Sequence, residues 1–210
     1  MDKLNEYFEH ALGFAHRLHQ KQVRKGSGVP YISHLLAVAG LVLEHGGTEK
    51  EAIAALLHDA AEDQGGEKTL AMILELYGSE VAAIVRECSD SLEQDPSKKL
   101  PWKERKLEYL KHLSTKSQSA KLVTAADKLH NARTIFADLR LHGPEVWERF
   151  QGKREGMLWY LDAVAKELSR DSEGSRQDPL LWELDEVVER LEQGRAYPFF
   201  SDEYKAPPAR

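Results

Sequence analysis

His58, Asp59, Glu62 and Asp63 stand within six positions of one another in "AALLHDAAEDQGG", residues 54–66. Side chains three and four apart share one face of an α-helix, which sets His58 near Glu62, and Asp59 near Glu62 and Asp63. Three carboxylates on one short face repel unless a positive charge lies among them. A metal ion would supply that charge, and the chain holds further ligands for one. His34, in "PYISHLLAVA", opens one helical stretch, and Asp127, in "TAADKLHNAR", lies near the middle of another. With His58 and Asp59 they make two imidazoles and two carboxylates drawn from three helices. That donor set suits Mn, Fe or Zn, and its oxygens also admit Mg. Adjacent helical residues point about 100° apart, so His58 and Asp59 reach one ion only where it lies between their directions.

Glu62 and Asp63 are left one turn away from these ligands. Acidic groups beside a metal-activated water can take or hold its proton, and the ion brings the pKa of that water towards neutrality. Asn131, four residues after Asp127, falls on the same helix face and can hydrogen-bond a ligand there.

The elements that must position these residues read as helices throughout. Leu4, Phe8, Ala11, Leu12, Ala15 and Leu18 recur at helical spacing and predict a first helix of about four turns. "RKGSGVP" breaks it, and a second helix is expected from Ser33, as N-cap, to "HGG". Thr48 followed by Glu51 is a capping-box pattern that opens the helix carrying His58. "LAMILELYG" and "SEVAAIVREC" predict two more helices separated by Gly78, and "SDSLEQDPSKKLP" a polar loop with Pro101 in the first turn of the next helix. A long helix then runs through "AKLVTAADKLHNARTIFADLRL" to "HGP", followed by "VWERF" and "EGMLWYLDAVAKEL". "SRDSEGSRQDP" reads as a mobile linker to a last amphipathic helix, "LLWELDEVVERLEQ", and a loose tail. No stretch alternates with the period of a strand. The fold class is all-α, with residues 1–170 as the domain around the metal site and 171–210 as linker, terminal helix and tail.

Size and composition restrict the function. At 210 residues the chain can bury roughly 70% of its unfolded surface and needs no covalent staples. No apolar run approaches the roughly 18–20 residues of a membrane span, and the acid-bearing amino terminus does not read as a signal or transit peptide. Cys88 is alone, which fits a reducing cytoplasm. A formal net charge of −6 disfavours nucleic-acid binding through the general surface, so an anionic ligand requires a local basic patch. The terminal helix could pack on the domain or on a second copy, leaving monomer and homodimer both open.

The H…HD…D order, together with "QKQVRKGSGVPYISH", "AALLHDAAED" and "AADKLHNAR", resembles the HD-domain metal-dependent phosphohydrolases. It is most similar to the hydrolase branch of the RelA/SpoT homologues, which remove the 3′-pyrophosphate of guanosine alarmones. The resemblance runs from about residue 5 to about 168, and it implies an HD-type helical bundle with a central metal. The chain has no room for the synthetase and regulatory domains of bifunctional members, so the expectation is a stand-alone small alarmone hydrolase. The resemblance further implies metal binding by His34, His58, Asp59 and Asp127, commonly of manganese, with Glu62 and Asp63 as the catalytic acids. It makes Arg24 and Lys25 the basic pair that packs on the nucleotide, and Asn131 the contact to ribose or phosphate. Leu35 in place of a proline, "QGG" in place of a threonine-containing turn, and Ala132 in place of a larger apolar residue depart from the family pattern. They touch the walls of the site and leave guanosine and adenosine 3′-pyrophosphates both as candidate substrates.

Such substrates carry several negative charges, and Lys103 and Arg154 join Arg24 and Lys25 as candidates to compensate them. Tyr160 is divided between stacking on the nucleotide and packing in the core. Trp102, Trp147, Trp159 and Trp182 read as packing residues, Cys88 as a small buried one, and "SKKLPWKERK" as a solvated loop and helix start. His10, His16, His19, His45, His112, His130 and His142 read as surface or partly packed, with His130 pointing away from the site. Two other functions remain open on sequence: an HD-type phosphohydrolase acting on a nucleoside monophosphate, dNTP or dinucleotide phosphate, and a nucleotide-binding module with no turnover. Release of pyrophosphate separates the first reading from both.

Overall fold

The computed structural model describes residues 4–170 and 172–194. Its elements are α1 (Glu6–Leu18), α2 (Ile32–Glu44), α3 (Glu49–Leu57), a single turn α4 (Ala60–Asp63), α5 (Gly66–Cys88), α6 (Trp102–Leu113) and α7 (Gln118–His142). A 3₁₀ segment, Pro144–Arg149, leads to α8 (Lys153–Ser169) and α9 (Asp178–Glu192). Among the described residues there is no strand. An isolated antiparallel bridge between Val23 and Pro30 closes the turn between α1 and α2.

α7 is the axis of the bundle. From Ala120 to Asp127 every residue is buried, and the helix packs against α2, α3, α5, α8 and α9. Small residues make this crowding possible. Ala54 and Ala55 on α3, Ala60 and Ala61 on α4, and Ala125, Ala126 and Ala132 on α7 are all fully buried. A methyl group at each of these positions lets backbones approach closely, and side chains from three helices meet at one point.

The helix ends follow local chemistry. The Thr48 side chain accepts from the Glu51 amide and the Glu51 side chain from the Thr48 amide, so the predicted capping box is present. Ser33 is not a cap. α2 starts one residue earlier behind Tyr31, which offers no side-chain cap, and the bridge to the preceding turn fixes the entry instead. The break expected at Gly78 is a kink in the interior of α5, where this residue leaves helical geometry (φ 86°, ψ 174°).

The segment before α9 is pinned. Arg176 donates to both carboxylate oxygens of Glu51, at 2.8 and 2.6 Å, and to the Gly46 carbonyl, while Ser172 and Gln177 are buried. This corrects the expectation of a mobile linker, because a charged pair now ties its middle to the start of α3. α9 itself lies against α7 and α8. The tail "YKAPPAR" lies outside the described residues. No helix among the described residues is long and apolar enough to cross a membrane.

Candidate metal centre and its cavity

His58 and Asp59 do not lie within one continuous helix. α3 ends at Leu57, and the two residues form the joint before α4, still in right-handed geometry (Asp59 φ −94°, ψ −6°). The joint turns both side chains towards His34 on α2 and Asp127 on α7. His34 Nε2 lies 3.2 Å from Asp127 Oδ1 and 3.6 Å from Asp59 Oδ2, and His58 Nε2 lies 3.7 and 3.1 Å from the same atoms. Donors at about 2.1 Å from one ion sit about 3.0–3.4 Å apart in octahedral or tetrahedral arrangement, so these separations suit a shared cation. The donor atoms of His34, His58 and Asp59 all lie within 4.8 Å of one another.

The imidazoles carry the decisive sign of an intended cation. His58 Nδ1 is 2.7 Å from the Ala55 carbonyl and donates to it, so in the neutral ring the lone pair lies on Nε2. That nitrogen is buried and has no hydrogen-bond partner, yet it faces two carboxylates. Burial favours the neutral ring, but Asp59 and Asp127 outweigh it and raise the His58 pKa well above its ordinary value. Burial also works against ionised Asp59 and Asp127, and here the imidazoles, with Lys128 at Asp127, hold both carboxyls well below the usual range. Two carboxylates and two inward-facing imidazole nitrogens form a donor set that a divalent ion fits, the ion taking the place of the ring protons.

Further contacts fix the ligands. Tyr31 donates to Asp59 Oδ2 at 2.6 Å, Asn131 donates to Asp127 Oδ1 at 2.6 Å, and Arg24 in turn donates to Asn131 Oδ1 at 2.8 Å. His34 Nδ1 meets His130 Nδ1 at 2.8 Å, so His130 stands directly behind a candidate ligand. The expectation that it points away is wrong. Its spacing of three from Asp127, which places both on one face of α7, was the available signal. His19 is likewise buried, stacked on Tyr31 with ring centroids 5.2 Å apart.

A cavity of about 460 Å³ opens over this cluster. Glu62 and Asp63 line it on the α4 side, with Arg24, Lys25, Asn131 and Tyr160 also in its wall. Glu62 accepts from the Asp90 amide at 3.1 Å, and its carboxyl is pushed up to about 7 by burial and by Asp90. Asp63 accepts from Gln22 at 2.8 Å, and partial burial together with Asp59 raises its carboxyl. Tyr160 resolves as both packing and wall: its ring is buried, and the Lys106 and Lys128 ammonium groups lie 4.9 and 5.5 Å from its centroid.

Two expected residues are elsewhere. Lys103 holds its ammonium 4.0 Å above the Trp159 ring, outside the cavity wall, because the first turn of α6 packs on α8 there. Arg154 donates to the carbonyls of Leu191 and Glu192, where it satisfies the free acceptors at the end of α9. Besides Arg24 and Lys25, the cations that line the cavity are Lys99, Arg105, Lys106 and Lys128. The first three come from the run read as a solvated loop and helix start. Arg105 and Lys106 are drawn inward by Asp90, whose side chain is 1% exposed and pairs with both. Trp182, read as a packing residue, is 71% exposed. The Cys88 thiol is pushed up to about 11 by burial, which keeps it a thiol.

A sequence-family model described as an HD domain matches residues 11–158. The chain belongs to the HD-domain family. Among HD-domain relatives, the Xenopus tropicalis protein named guanosine-3′,5′-bis(diphosphate) 3′-pyrophosphohydrolase MESH1 is 39% identical over 157 residues, covering 73% of this chain and 80% of that protein. The mouse protein of the same name is 32% identical over 188 residues, covering 88% and 92%. A solved structure of a metazoan SpoT orthologue that hydrolyses ppGpp superposes with a TM-score of 0.73 at 28% identity, over 90% of this chain and 98% of that one. The all-α HD bundle expected from the motifs is therefore the observed fold.

Proposed function

We propose that this chain is a metal-dependent hydrolase that removes the 3′-pyrophosphate of a guanosine alarmone, yielding pyrophosphate and a guanosine 5′-phosphate. The observation that carries the reading is the meeting of the His34, His58, Asp59 and Asp127 donors beside a cavity that Asp59 and Asp127 line together with further acids and cations. The substrate class follows from the relatives, two of which bear the name of this activity while covering most of this chain.

In this reading the four residues hold one divalent ion, manganese by preference. Such an ion supplies Lewis-acid polarisation of a phosphoryl group and a nucleophile available near neutral pH. Glu62 accepts the proton of the attacking water. A carboxyl with a pKa of about 7 is matched to that task, since it is half ionised at neutral pH and returns the proton readily. Asp63, held by Gln22, orients the same water. Arg24 and Lys25 on one wall, and Lys106 and Lys128 on the other, offset the phosphate charge, while Asn131 offers its amide to the sugar or phosphate. The reading sets the enzyme in a reducing cytoplasm.

The test is incubation of manganese-loaded protein with guanosine 3′,5′-bis(diphosphate) and, in parallel, its adenosine counterpart, with chromatography of the products. Guanosine diphosphate and pyrophosphate are expected in equal amounts. Release of inorganic phosphate instead, or no turnover of either nucleotide, would overturn the assignment.

A further inference from the structure

We propose that His130 is a positioning residue that locks His34 in the one tautomer able to ligate a divalent ion. This rests on the reading of His34 as a ligand given under Proposed function.

The two rings approach through Nδ1 and Nδ1 at 2.8 Å, with centroids 4.9 Å apart and planes tilted by 40°. A contact of that length between ring nitrogens is a hydrogen bond, so one nitrogen carries the hydrogen and the other accepts. The choice is decided at the far side of His34, where Nε2 faces Asp127 Oδ1 and Asp59 Oδ2. A metal-binding Nε2 must keep its lone pair. The hydrogen of neutral His34 then sits on Nδ1 and is donated to His130, whose own hydrogen lies on Nε2. If His130 donated instead, His34 would carry its hydrogen on Nε2, pointing into the ligand cluster.

The two ligand imidazoles are thus held by different devices. His58 Nδ1 is fixed by a backbone carbonyl, that of Ala55. His34 Nδ1 is fixed by a side chain, and α7 supplies it three residues after Asp127. One helix face therefore delivers a ligand and the orienter of a second ligand on α2.

The experiment compares Mn²⁺ affinity, read from the free-ion electron paramagnetic resonance signal, for the full chain and for His130→Leu, His130→Asn and His34→Ala. Asn keeps an acceptor close to the position of Nδ1, whereas Leu removes it. His130→Leu is expected to weaken Mn²⁺ binding about 10–100-fold, as loss of a ligand's orienting partner typically does, and His130→Asn to recover most of that loss. Affinity of His130→Leu within a factor of two of the parent, or equal weakening in both His130 variants, would overturn the inference. Undiminished binding by His34→Ala would instead overturn the ligand reading beneath it. Imidazole ¹⁵N shifts of the unsubstituted, metal-free chain give an independent readout: a hydrogen on His34 Nδ1 with a bare Nε2 supports the lock, and any hydrogen on Nε2 refutes it.

Discussion

Replacing Arg176 by alanine is expected to destabilise the protein by about 2 kcal/mol at pH 7 and by less than about 1 kcal/mol at pH 3. The target is Glu51, whose side chain is 3% exposed and which meets Arg176 through both oxygens. Burial pulls the Glu51 carboxyl up, but Arg176 and then Thr48 pull it down, from 4.5 to about 2. At about 1.36 kcal/mol per pH unit, the interval from 4.5 to about 2 corresponds to about 3.4 kcal/mol in favour of the folded chain. Arg176 supplies the largest favourable part, discounted because its own side chain is 40% exposed, which leaves the figure of about 2 kcal/mol. A carboxyl depressed by folding contributes fully above its unfolded pKa and loses its contribution as pH falls through the folded one. The window is therefore from 4.5 down to about 2, and at pH 3 about 1.4 of the 3.4 kcal/mol survives. Urea unfolding of parent and variant, monitored by tryptophan fluorescence at both pH values, measures the difference and cancels the other carboxylates. A deficit equal at pH 7 and pH 3, or one below about 0.5 kcal/mol at pH 7, would contradict the assignment of the Glu51 shift to Arg176.

Three further outcomes are expected. Asp59→Asn should abolish Mn²⁺ binding and hydrolysis together, and full metal-dependent release of pyrophosphate by this variant would rule out the assigned centre. Glu62→Gln should lower kcat by about 10²–10⁴-fold with metal affinity unchanged. In the parent, kcat should rise with pH through about 7 as Glu62 ionises, and steady-state rates of the variant should lack that limb. Gly66→Ala should cost about 1–3 kcal/mol in thermal unfolding, since the residue has φ +59° and an added Cβ would lie 2.4 Å from the Leu92 carbonyl oxygen.

Residue types and helical spacing carried the fold. The Thr48–Glu51 capping box, the break at Gly78 and the long helix ending at "HGP" are local events, decided by a few neighbouring residues, and each stands where the sequence puts it. The convergence of His34, His58, Asp59 and Asp127 was legible because their H…HD…D order resembles the HD-domain pattern; among nine histidines and 35 acidic residues, local spacing alone carried it weakly. His130 was also within reach, through its i, i+3 relation to Asp127.

Where long side chains go could not be read. Lys103 and Lys106 lie one turn apart on α6, and nothing in their spacing says that Trp159 captures one and Asp90 the other. Arg154 lies in the first turn of α8, a helix that lines the site, but it is claimed by carbonyls of α9, 37 and 38 residues onward. The linker looked mobile by composition because its single decisive contact, Arg176 with Glu51, spans 125 positions. Flexible cations find their partners in three dimensions, and periodicity is silent about them.

The joint between α3 and α4 shows why this site requires more than a helix face. On an unbroken helix, His58 and Asp59 would diverge by about 100°, and Asp59 would be drawn towards Glu62 and Asp63, crowding three carboxylates on one side. Ending α3 at Leu57 separates the roles: Asp59 Oδ2 comes within 3.1 Å of His58 Nε2, whereas Glu62 turns to the Asp90 amide. One carboxylate is held ionised among the imidazoles while its neighbour one turn on is pushed up to about 7. In the proposed reading the break thus yields a ligand and a proton acceptor from residues three apart, two tasks that need opposite pKa shifts and could not share one environment.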